Sequence, residues 1–234
     1  MHNPLLKYSL VYVYPKKEDP VEMGEYRPIT ILPHVTHTFH NVIANRLKQV
    51  PTSECQILFS GINGCSENSL ILRTLLQLAT KSNKKKRVAV AFLDFANPFD
   101  SVSHESLLKA STRLGLPPLL LKYLTNVYGN NFTTLHGKEN IKFKSGILQG
   151  DPLSGYLCHC VFNWCLAEIN KTTKIGFMAY QLGKETIKYF LFADDAVLVS
   201  EDAKSLQQIC VVLLDQCKKV GLNANYKKCA YTLD

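Results

Sequence analysis

Hydrophobic and polar positions change their spacing several times along the chain, and each change predicts an element of secondary structure. Tyr8–Tyr14 alternates like a strand, and Pro28–Leu32 follows as a second strand after a polar stretch, so the two predict a hairpin with a long connection. Val88–Leu93 is apolar without interruption, which is typical of a buried strand. Between them, helical spacing predicts a helix with an apolar face of Val35, Phe39, Val42, Ile43 and Leu47.

The remaining apolar segments predict further helices joined to short strands. Capping residues and glycines support the ends of several of these helices. The predicted helices are Leu70–Ala79, Ser103–Gly115, a helix that begins at Pro117 or Pro118 and ends at Gly129, Pro152–Asn170 with Asp151 as its N-cap, and Asp202–Val220. The predicted strands are Phe132–Leu135, Ile141–Ile147, Tyr189–Phe192 and Ala196–Val199. The order of these elements indicates a mixed α and β chain.

Composition and charge narrow the class of protein. Of the 234 residues, 46% are hydrophobic and 20% are charged, a balance typical of a globular protein with a buried core. Lys and Arg number 27 against 19 Asp and Glu, and the resulting formal charge of +8 permits a polyanionic partner. No apolar run approaches the roughly 18 residues of a membrane span, so we expect no association with a membrane.

The eight cysteines predict neither a zinc site nor a disulfide framework. No two of them are spaced as a C-x-x-C pair, and several lie in apolar helical stretches, where a thiol packs as a small hydrophobic group. Residues 1–14 lack the pattern of a secretory signal. Free thiols fit a reducing compartment, so we expect an intracellular protein.

Two adjacent acids are the first candidates for chemistry. Asp194 and Asp195 fall between the apolar runs Tyr189–Phe192 and Ala196–Val199, where a pair of strands would turn. Acids are common in turns, so a solvated hairpin tip is one interpretation. A metal site is the other, because adjacent like charges at the edge of a buried sheet repel each other unless a cation neutralises them.

A third acid favours the metal site. Asp94 ends the apolar run Val88–Leu93, and it can meet Asp194 and Asp195 if their strands are neighbours. An acid that only marks the end of the strand is the simpler alternative. Mg²⁺ needs few protein carboxylates and completes its shell with water and phosphate oxygens. Two such ions about 3.5–4 Å apart stabilise an in-line phosphoryl displacement, so three acids on adjoining strands suffice to hold the pair.

Several segments carry a family resemblance. FLDFANPFDSVSHESLL (92–108), GILQGDPLSG (146–155) and YFLFADDAVLVS (189–200) resemble the successive polymerase motifs of reverse transcriptases. YRPIT (26–30) and ANRL (44–47) resemble the fingers segment of that family, and GLNANYKKC (221–229) resembles its lysine-bearing motif. GCSEN (64–68) is similar to non-LTR retrotransposons of the type that inserts into ribosomal RNA genes. The segments keep the order of the family over nearly the whole chain.

The resemblance implies an α+β fold, with a palm of antiparallel strands backed by helices and a smaller fingers subdomain. We expect the fingers in residues 1–87, with residues 117–147 as a segment that can return to them, and the palm in residues 88–234. We expect the thumb, the N-terminal nucleic-acid-binding fingers and the C-terminal endonuclease of related proteins to be absent from this chain.

The resemblance also implies a catalytic centre. Asp94, Asp194 and Asp195 would be the catalytic acids that hold two Mg²⁺ ions, for which Mn²⁺ can substitute, and Asp195 would be the more peripheral ligand. Lys227 or Lys228 would donate a proton to the departing pyrophosphate. Lysines at such positions also fit a merely solvated surface.

Four more residues match nucleotide-binding positions of the family. Phe99 matches the aromatic gate that lies under the incoming sugar and excludes a 2′-hydroxyl, with core packing as the alternative. Arg27 matches the arginine that grips the triphosphate, for which a planar guanidinium is suited, with a surface role as the alternative. Gln149 and Gly150 would lie beside the nascent base pair, where glycine permits close backbone approach; an ordinary loop is the alternative.

Four residues depart from the pattern of the family: Pro98, Leu148, His37 at an often basic position of the fingers helix, and Gly155 in place of a usual proline. The first two concern contacts to the nucleotide. Pro98 stands where alanine usually precedes the gate, and it lacks an N–H that could contact the triphosphate. Leu148 stands where many relatives carry Arg or Lys, which removes one cationic contact.

The resulting hypothesis is the RNA-directed DNA polymerase domain of a retrotransposon, located in the nucleus. It would take an RNA template, a DNA primer and deoxynucleoside triphosphates, and it would add deoxynucleotides to the primer 3′-hydroxyl by two-metal nucleotidyl transfer. A decayed, inactive remnant that at most binds RNA or DNA is the first alternative. A magnesium-dependent phosphodiesterase is a further alternative.

Overall fold

The computed structural model describes residues 8–48, 64–81, 87–130, 132–135, 139–173, 180–182, 185–192 and 194–233. The chain forms two compact units: unit 1 comprises Met1–Val50 and Asn97–Val161, and unit 2 comprises Pro51–Ala96 and Phe162–Asp234. The expected fingers (residues 1–87) and palm (residues 88–234) are functional subdomains. The two compact units do not test their boundaries. The assignment stays a prediction.

Helices and mostly antiparallel strands follow one another in groups along the chain, and the α+β class is confirmed. The strands are β1 (Tyr8–Pro15), β2 (Tyr26–Ile31), β3 (Ala89–Leu93), β4 (Phe95–Ala96), β5 (Phe132–Leu135), β6 (Glu139–Lys142), β7 (Tyr180–Leu182), β8 (Glu185–Ile187), β9 (Tyr189–Phe192), β10 (Asp195–Ser200), β11 (Asn223–Ala224) and β12 (Ala230–Leu233). The helices are α1 (His34–Leu47), α2 (Gly64–Lys81), α3 (Pro98–Ser101), α4 (His104–Arg113), α5 (Pro118–Gly129), α6 (Ser154–Thr173) and α7 (Ala203–Lys219). No helix in these described ranges is long and apolar enough to cross a membrane.

Unit 1 contains a four-stranded sheet in the order β2-β1-β5-β6. β1 and β2 form the predicted antiparallel hairpin, and β5 runs parallel to β1. The second predicted hairpin is also present, but β6 ends at Lys142 instead of continuing to Ile147. The reason is that the amides of Gly146 and Ile147 donate to the carbonyls of Val102 and Phe99, outside the sheet.

The buried face of α1 is only in part the face that the sequence predicted. Val35 and Phe39 are 71% and 48% exposed. The buried residues of the helix are Thr36, His40, Ala44 and Leu47. The helix was predicted correctly. Of its predicted apolar residues Leu47 is buried, but the hydrogen-bonded His40 is buried where Val35 and Phe39 were expected.

Unit 2 is built on an antiparallel sheet in the order β12-β3-β10-β9. Val90 and Val199 pack with Leu75 of α2 on one face of this sheet. Because side chains alternate between the faces of a strand, Ala91 and Leu198 point to the other face, where α7 contacts β3 and β10. The sheet therefore lies between the helices α2 and α7, which confirms β3 as a buried strand. Its C-terminal end, after Leu93, lies at the boundary of this core.

Candidate active site

The three candidate acids lie at one end of the unit 2 sheet. β3 pairs with β10 so that Leu93 is opposite Ala196. Asp94 directly follows Leu93, Asp195 directly precedes Ala196, and Asp194 lies in the connection between β9 and β10. The neighbouring strands that the sequence prediction required are therefore present. They bring all three acids to the same end of the sheet.

The surroundings of these acids disfavour negative charge. Burial raises the pKa of Asp194, the charges of Asp195 and Asp94 raise it further, and Lys228 partly offsets them. Burial and the charge of Asp94 likewise raise the pKa of Asp195. A cation at this edge would relieve the repulsion.

The donor set fits a hard divalent cation. Carboxylate oxygens are the ligands that Mg²⁺ and Mn²⁺ take from proteins, and Mg²⁺ requires only one or two of them before water and phosphate fill the rest of its shell. Within the described residues no three His, Cys, Asp or Glu side chains are grouped closely enough to hold a metal ion by themselves. The acids fit ions that share their shell with a substrate.

The segment after α7 is attached to the backbone of Asp94. The amide of Asn225 donates to the Asp94 carbonyl at 2.8 Å, and β11 pairs with β4 directly beside it. This attachment brings Lys228 Nζ to 3.9 Å from Asp94 Oδ2. Of the two lysines proposed as proton donor, the geometry favours Lys228 over Lys227, and the role itself stays a prediction.

The four nucleotide-binding candidates belong to unit 1, where one loop, residues 145–151, links three of them. The amide of Ile147 donates to the Phe99 carbonyl at 2.5 Å. The amide of Thr30 on β2 donates to the Gln149 carbonyl at 2.6 Å. Arg27 is exposed on the same strand β2, three residues before Thr30. The loop therefore fixes Gln149 relative to Phe99 and to the strand that carries Arg27.

Gly150 permits a close approach, but to the protein backbone. Its φ is +99°, in the left-handed region, and a Cβ added there would lie 2.5 Å from the Thr30 carbonyl oxygen. A side chain at this position would push β2 away from the loop. The residue is thus constrained by packing whether or not it also touches a ligand.

Two of the departures from the family pattern, Pro98 and Leu148, are accommodated locally. Pro98 is the first residue of α3, a position whose N–H has no partner within the helix, so the missing donor breaks no helical hydrogen bond. Leu148 is buried, so its side chain serves the core of unit 1. A charged arginine at that position would have to be desolvated, which is unfavourable without a partner.

One cluster of polar side chains, His40, Tyr123 and Asp151, was not predicted from the sequence. His40 Nδ1 lies 2.8 Å from Asp151 Oδ1, and His40 Nε2 lies 2.6 Å from the Tyr123 hydroxyl. Asp151 was predicted only as the cap of a helix that begins at Pro152. In the structure Asp151 is buried and also accepts from the amide of Leu153, and the helix begins at Ser154. The one available sign was a histidine on the helix, because the contact spans 111 residues of sequence.

The chain belongs to the reverse transcriptase (RNA-dependent DNA polymerase) family, whose pattern it matches over residues 14–233. It is similar to the Retrovirus-related Pol polyprotein from type-1 retrotransposable element R2 of Nasonia vitripennis, with 32% identity over 229 residues that cover 94% of this chain. The corresponding protein of Popillia japonica is 30% identical over 220 residues, 92% of this chain. The chain spans 21% and 30% of the length of these two relatives. The expectation of a retrotransposon reverse transcriptase domain is confirmed.

Solved structures support the fold independently. The apo telomerase from Candida tropicalis truncated from its C-terminal domain superposes with a TM-score of 0.67 at 12% identity, over 100% of this chain and 51% of that chain. The telomerase from Candida albicans in complex with a fragment of telomeric RNA superposes with a TM-score of 0.60 at 11% identity, over 99% of this chain and 43% of that chain. The predicted reverse-transcriptase-like fold is confirmed.

Proposed function

We propose that this chain catalyses the RNA-templated addition of deoxynucleotides to the 3′-hydroxyl of a primer. The observation that carries the proposal is the position of three acids at one end of the unit 2 sheet, in a chain of the reverse transcriptase family. Burial and mutual repulsion raise the pKa values of Asp194 and Asp195, and a bound cation would relieve that repulsion.

The acids of unit 2 are assigned to metal binding. Asp94 and Asp194 would hold Mg²⁺ or Mn²⁺, and Asp195, which is exposed, would act as the outer carboxylate. When bound, such ions stabilise the charge on the attacking and leaving oxygens of a phosphoryl transfer. Lys228 extends beside Asp94, where its ammonium group would supply a proton to the departing pyrophosphate.

Unit 1 is assigned to the nucleotide. The exposed guanidinium of Arg27 would bind the triphosphate in bidentate fashion. The ring of Phe99 would lie under the sugar and exclude a 2′-hydroxyl. Gln149 would hydrogen-bond to the template or to the sugar, on the loop that also holds the Phe99 carbonyl.

The partners follow from this assignment and from the charge of the chain. The substrates would be deoxynucleoside triphosphates, with an RNA template and a DNA primer as polyanionic partners of a chain whose formal charge is +8. Two telomerases of this fold, from Candida tropicalis and Candida albicans, have solved structures in complex with a fragment of telomeric RNA. The intracellular, nuclear location stays a prediction.

Primer extension tests the proposal. The purified chain is given an RNA template, a labelled DNA primer and Mg²⁺, with one deoxynucleotide in each reaction. We expect addition only of the nucleotide complementary to the template. Salt-sensitive binding of the duplex without any extension would favour the inactive remnant instead, and cutting of the strands without extension would favour the phosphodiesterase.

The assignment of Phe99 makes a separate prediction about the sugar. Phe99→Val should increase the use of ribonucleotides relative to deoxynucleotides by about tenfold to two-hundredfold, the range that loss of a steric contact in a pocket gives. The ratio of kcat/KM values for the two sugars measures this change. Pro98→Ala is the matched control, because it alters the adjacent buried residue and leaves the ring in place. An unchanged ratio in Phe99→Val would assign the ring to packing alone.

A further inference from the structure

A chain of hydrogen bonds inside unit 1 joins two helices to the loop that carries Gln149. The Tyr123 hydroxyl of α5 and the Asp151 carboxylate lie at opposite nitrogens of the His40 imidazole, at 2.6 Å and 2.8 Å. The side chains of His40 and Asp151 are each 1% exposed. Buried polar groups are retained when every member has a partner, and here each ring nitrogen has one.

The positions of the protons follow from the partners. Burial raises the pKa of Tyr123 to about 12, so its phenol keeps its proton. The arrangement that satisfies all three groups has the Tyr123 hydroxyl donating to His40 Nε2 and His40 Nδ1–H donating to the Asp151 carboxylate. Asp151 Oδ1 accepts a further hydrogen bond from the amide of Leu153 at 2.9 Å.

Asp151 is the last residue of a tight turn in this loop. Its amide donates to the Leu148 carbonyl at 3.1 Å, so residues 148–151 form a closed turn with Gln149 and Gly150 at its centre. The same turn touches β2, through the hydrogen bond of Thr30 to Gln149 and the close approach of Gly150. A shift of Asp151 would therefore move the two residues that face the nucleotide in the proposed function.

We propose that His40 and Tyr123 are positioning residues for nucleotide binding, because the hydrogen-bonded chain Tyr123–His40–Asp151 fixes the Gln149–Gly150 turn against β2. The inference rests on the proposed function for its effect on nucleotide binding. The fixing of the turn itself is a property of unit 1 and can be measured without activity.

Two amide substitutions of His40 separate the roles of its nitrogens. In His40→Asn the side-chain amide nitrogen takes the place of Nδ1 and can still donate to Asp151. In His40→Gln it takes the place of Nε2, so it can reach Tyr123 but leaves the buried Asp151 carboxylate without its partner. Leu124→Ala is the control for general loss of stability, because Leu124 is buried on the same helix as Tyr123.

The first measurement is hydrogen exchange of the whole chain at the Thr30 amide, which reports the bond to Gln149. The Leu107 amide, which donates to Ser103 inside unit 1, is the reference. We expect exchange at Thr30 to rise about tenfold relative to Leu107 in His40→Gln, and to stay near the wild-type ratio in His40→Asn and Leu124→Ala. An equal rise at both amides in His40→Gln would mean that the histidine serves only stability, and this result would overturn the inference.

The second measurement is the kinetics of single-nucleotide addition. In His40→Gln we expect kcat/KM for the deoxynucleotide to fall about tenfold to a hundredfold, mainly through KM, as for a misplaced binding group. His40→Asn should recover most of it, and Tyr123→Phe should give a smaller loss. Identical KM values in the two amide variants would contradict the inference. A wild-type chain that extends no primer would refute the proposed function alone, since exchange at Thr30 still decides whether His40 fixes the turn.

Discussion

Asp194→Asn should lower the rate of single-nucleotide addition by roughly a thousandfold or more while the protein stays folded. Metal ions supply several kcal/mol of charge stabilisation in such reactions, and each ~1.4 kcal/mol is a factor of ten in rate. Asparagine keeps the shape of the side chain and removes the charge. Binding of the primer–template should be unchanged, because the loss concerns the chemical step.

The same substitution should not destabilise the protein. Burial and two neighbouring acids raise the pKa of Asp194, which means that the folded state disfavours its charge. Removing that charge should therefore leave the melting temperature unchanged or raise it, a trade of stability against activity that is common in active sites. Asp215→Asn is the matched control, since it removes the same charge from an exposed position of α7. Asp194→Asn activity within a few-fold of this control would refute the metal assignment.

Gly150→Ala should lower the stability of unit 1 and raise the KM for the deoxynucleotide. An alanine at a φ of +99° costs about 1–2 kcal/mol, and its Cβ would additionally lie 2.5 Å from the Thr30 carbonyl oxygen. β2 and the turn must separate to accommodate it, so the bond of Thr30 to Gln149 should be lost. We expect the KM for the deoxynucleotide to rise at least about tenfold, in steady-state primer extension.

Gly115→Ala distinguishes the cost of backbone strain from the effect of a steric clash. Gly115 has a φ of +83°, and a Cβ added there meets nothing within 4 Å. This variant should lose the same ~1–2 kcal/mol of unfolding free energy and keep the wild-type KM. Equal KM values in the two alanine variants would show that contact between the turn and β2 does not matter for the nucleotide.

The sequence predicted most elements of the fold because their signals are local. The apolar run of β3 and the two runs on either side of Asp194 identify strands without any knowledge of their partners. The placement of Asp94 beside Asp195 then follows from the pairing of neighbouring strands, together with the family resemblance. β12 was missed because Ala230–Leu233 is exposed at all four positions and shows no pattern of burial.

The polar interior of unit 1 could not be predicted in the same way. Helical periodicity places apolar residues inward, and it therefore chose Val35 and Phe39 for the buried face of α1. The face that is buried contains His40, whose partners lie 83 and 111 residues away in the sequence. A hydrogen bond between distant segments leaves no periodic trace, so only the structure could identify it.

Localised cleavage by iron examines the binding of divalent cations by the acids without requiring activity. Fe²⁺ that replaces Mg²⁺ at these carboxylates produces hydroxyl radicals with ascorbate and peroxide, and these radicals cut the nearby backbone. We predict cuts near residue 94 and near residues 194–195 of the whole chain, suppressed by excess Mg²⁺ and absent in Asp194→Asn. Cuts that fall elsewhere, or that persist at these positions in Asp194→Asn and in excess Mg²⁺, would contradict a shared metal site.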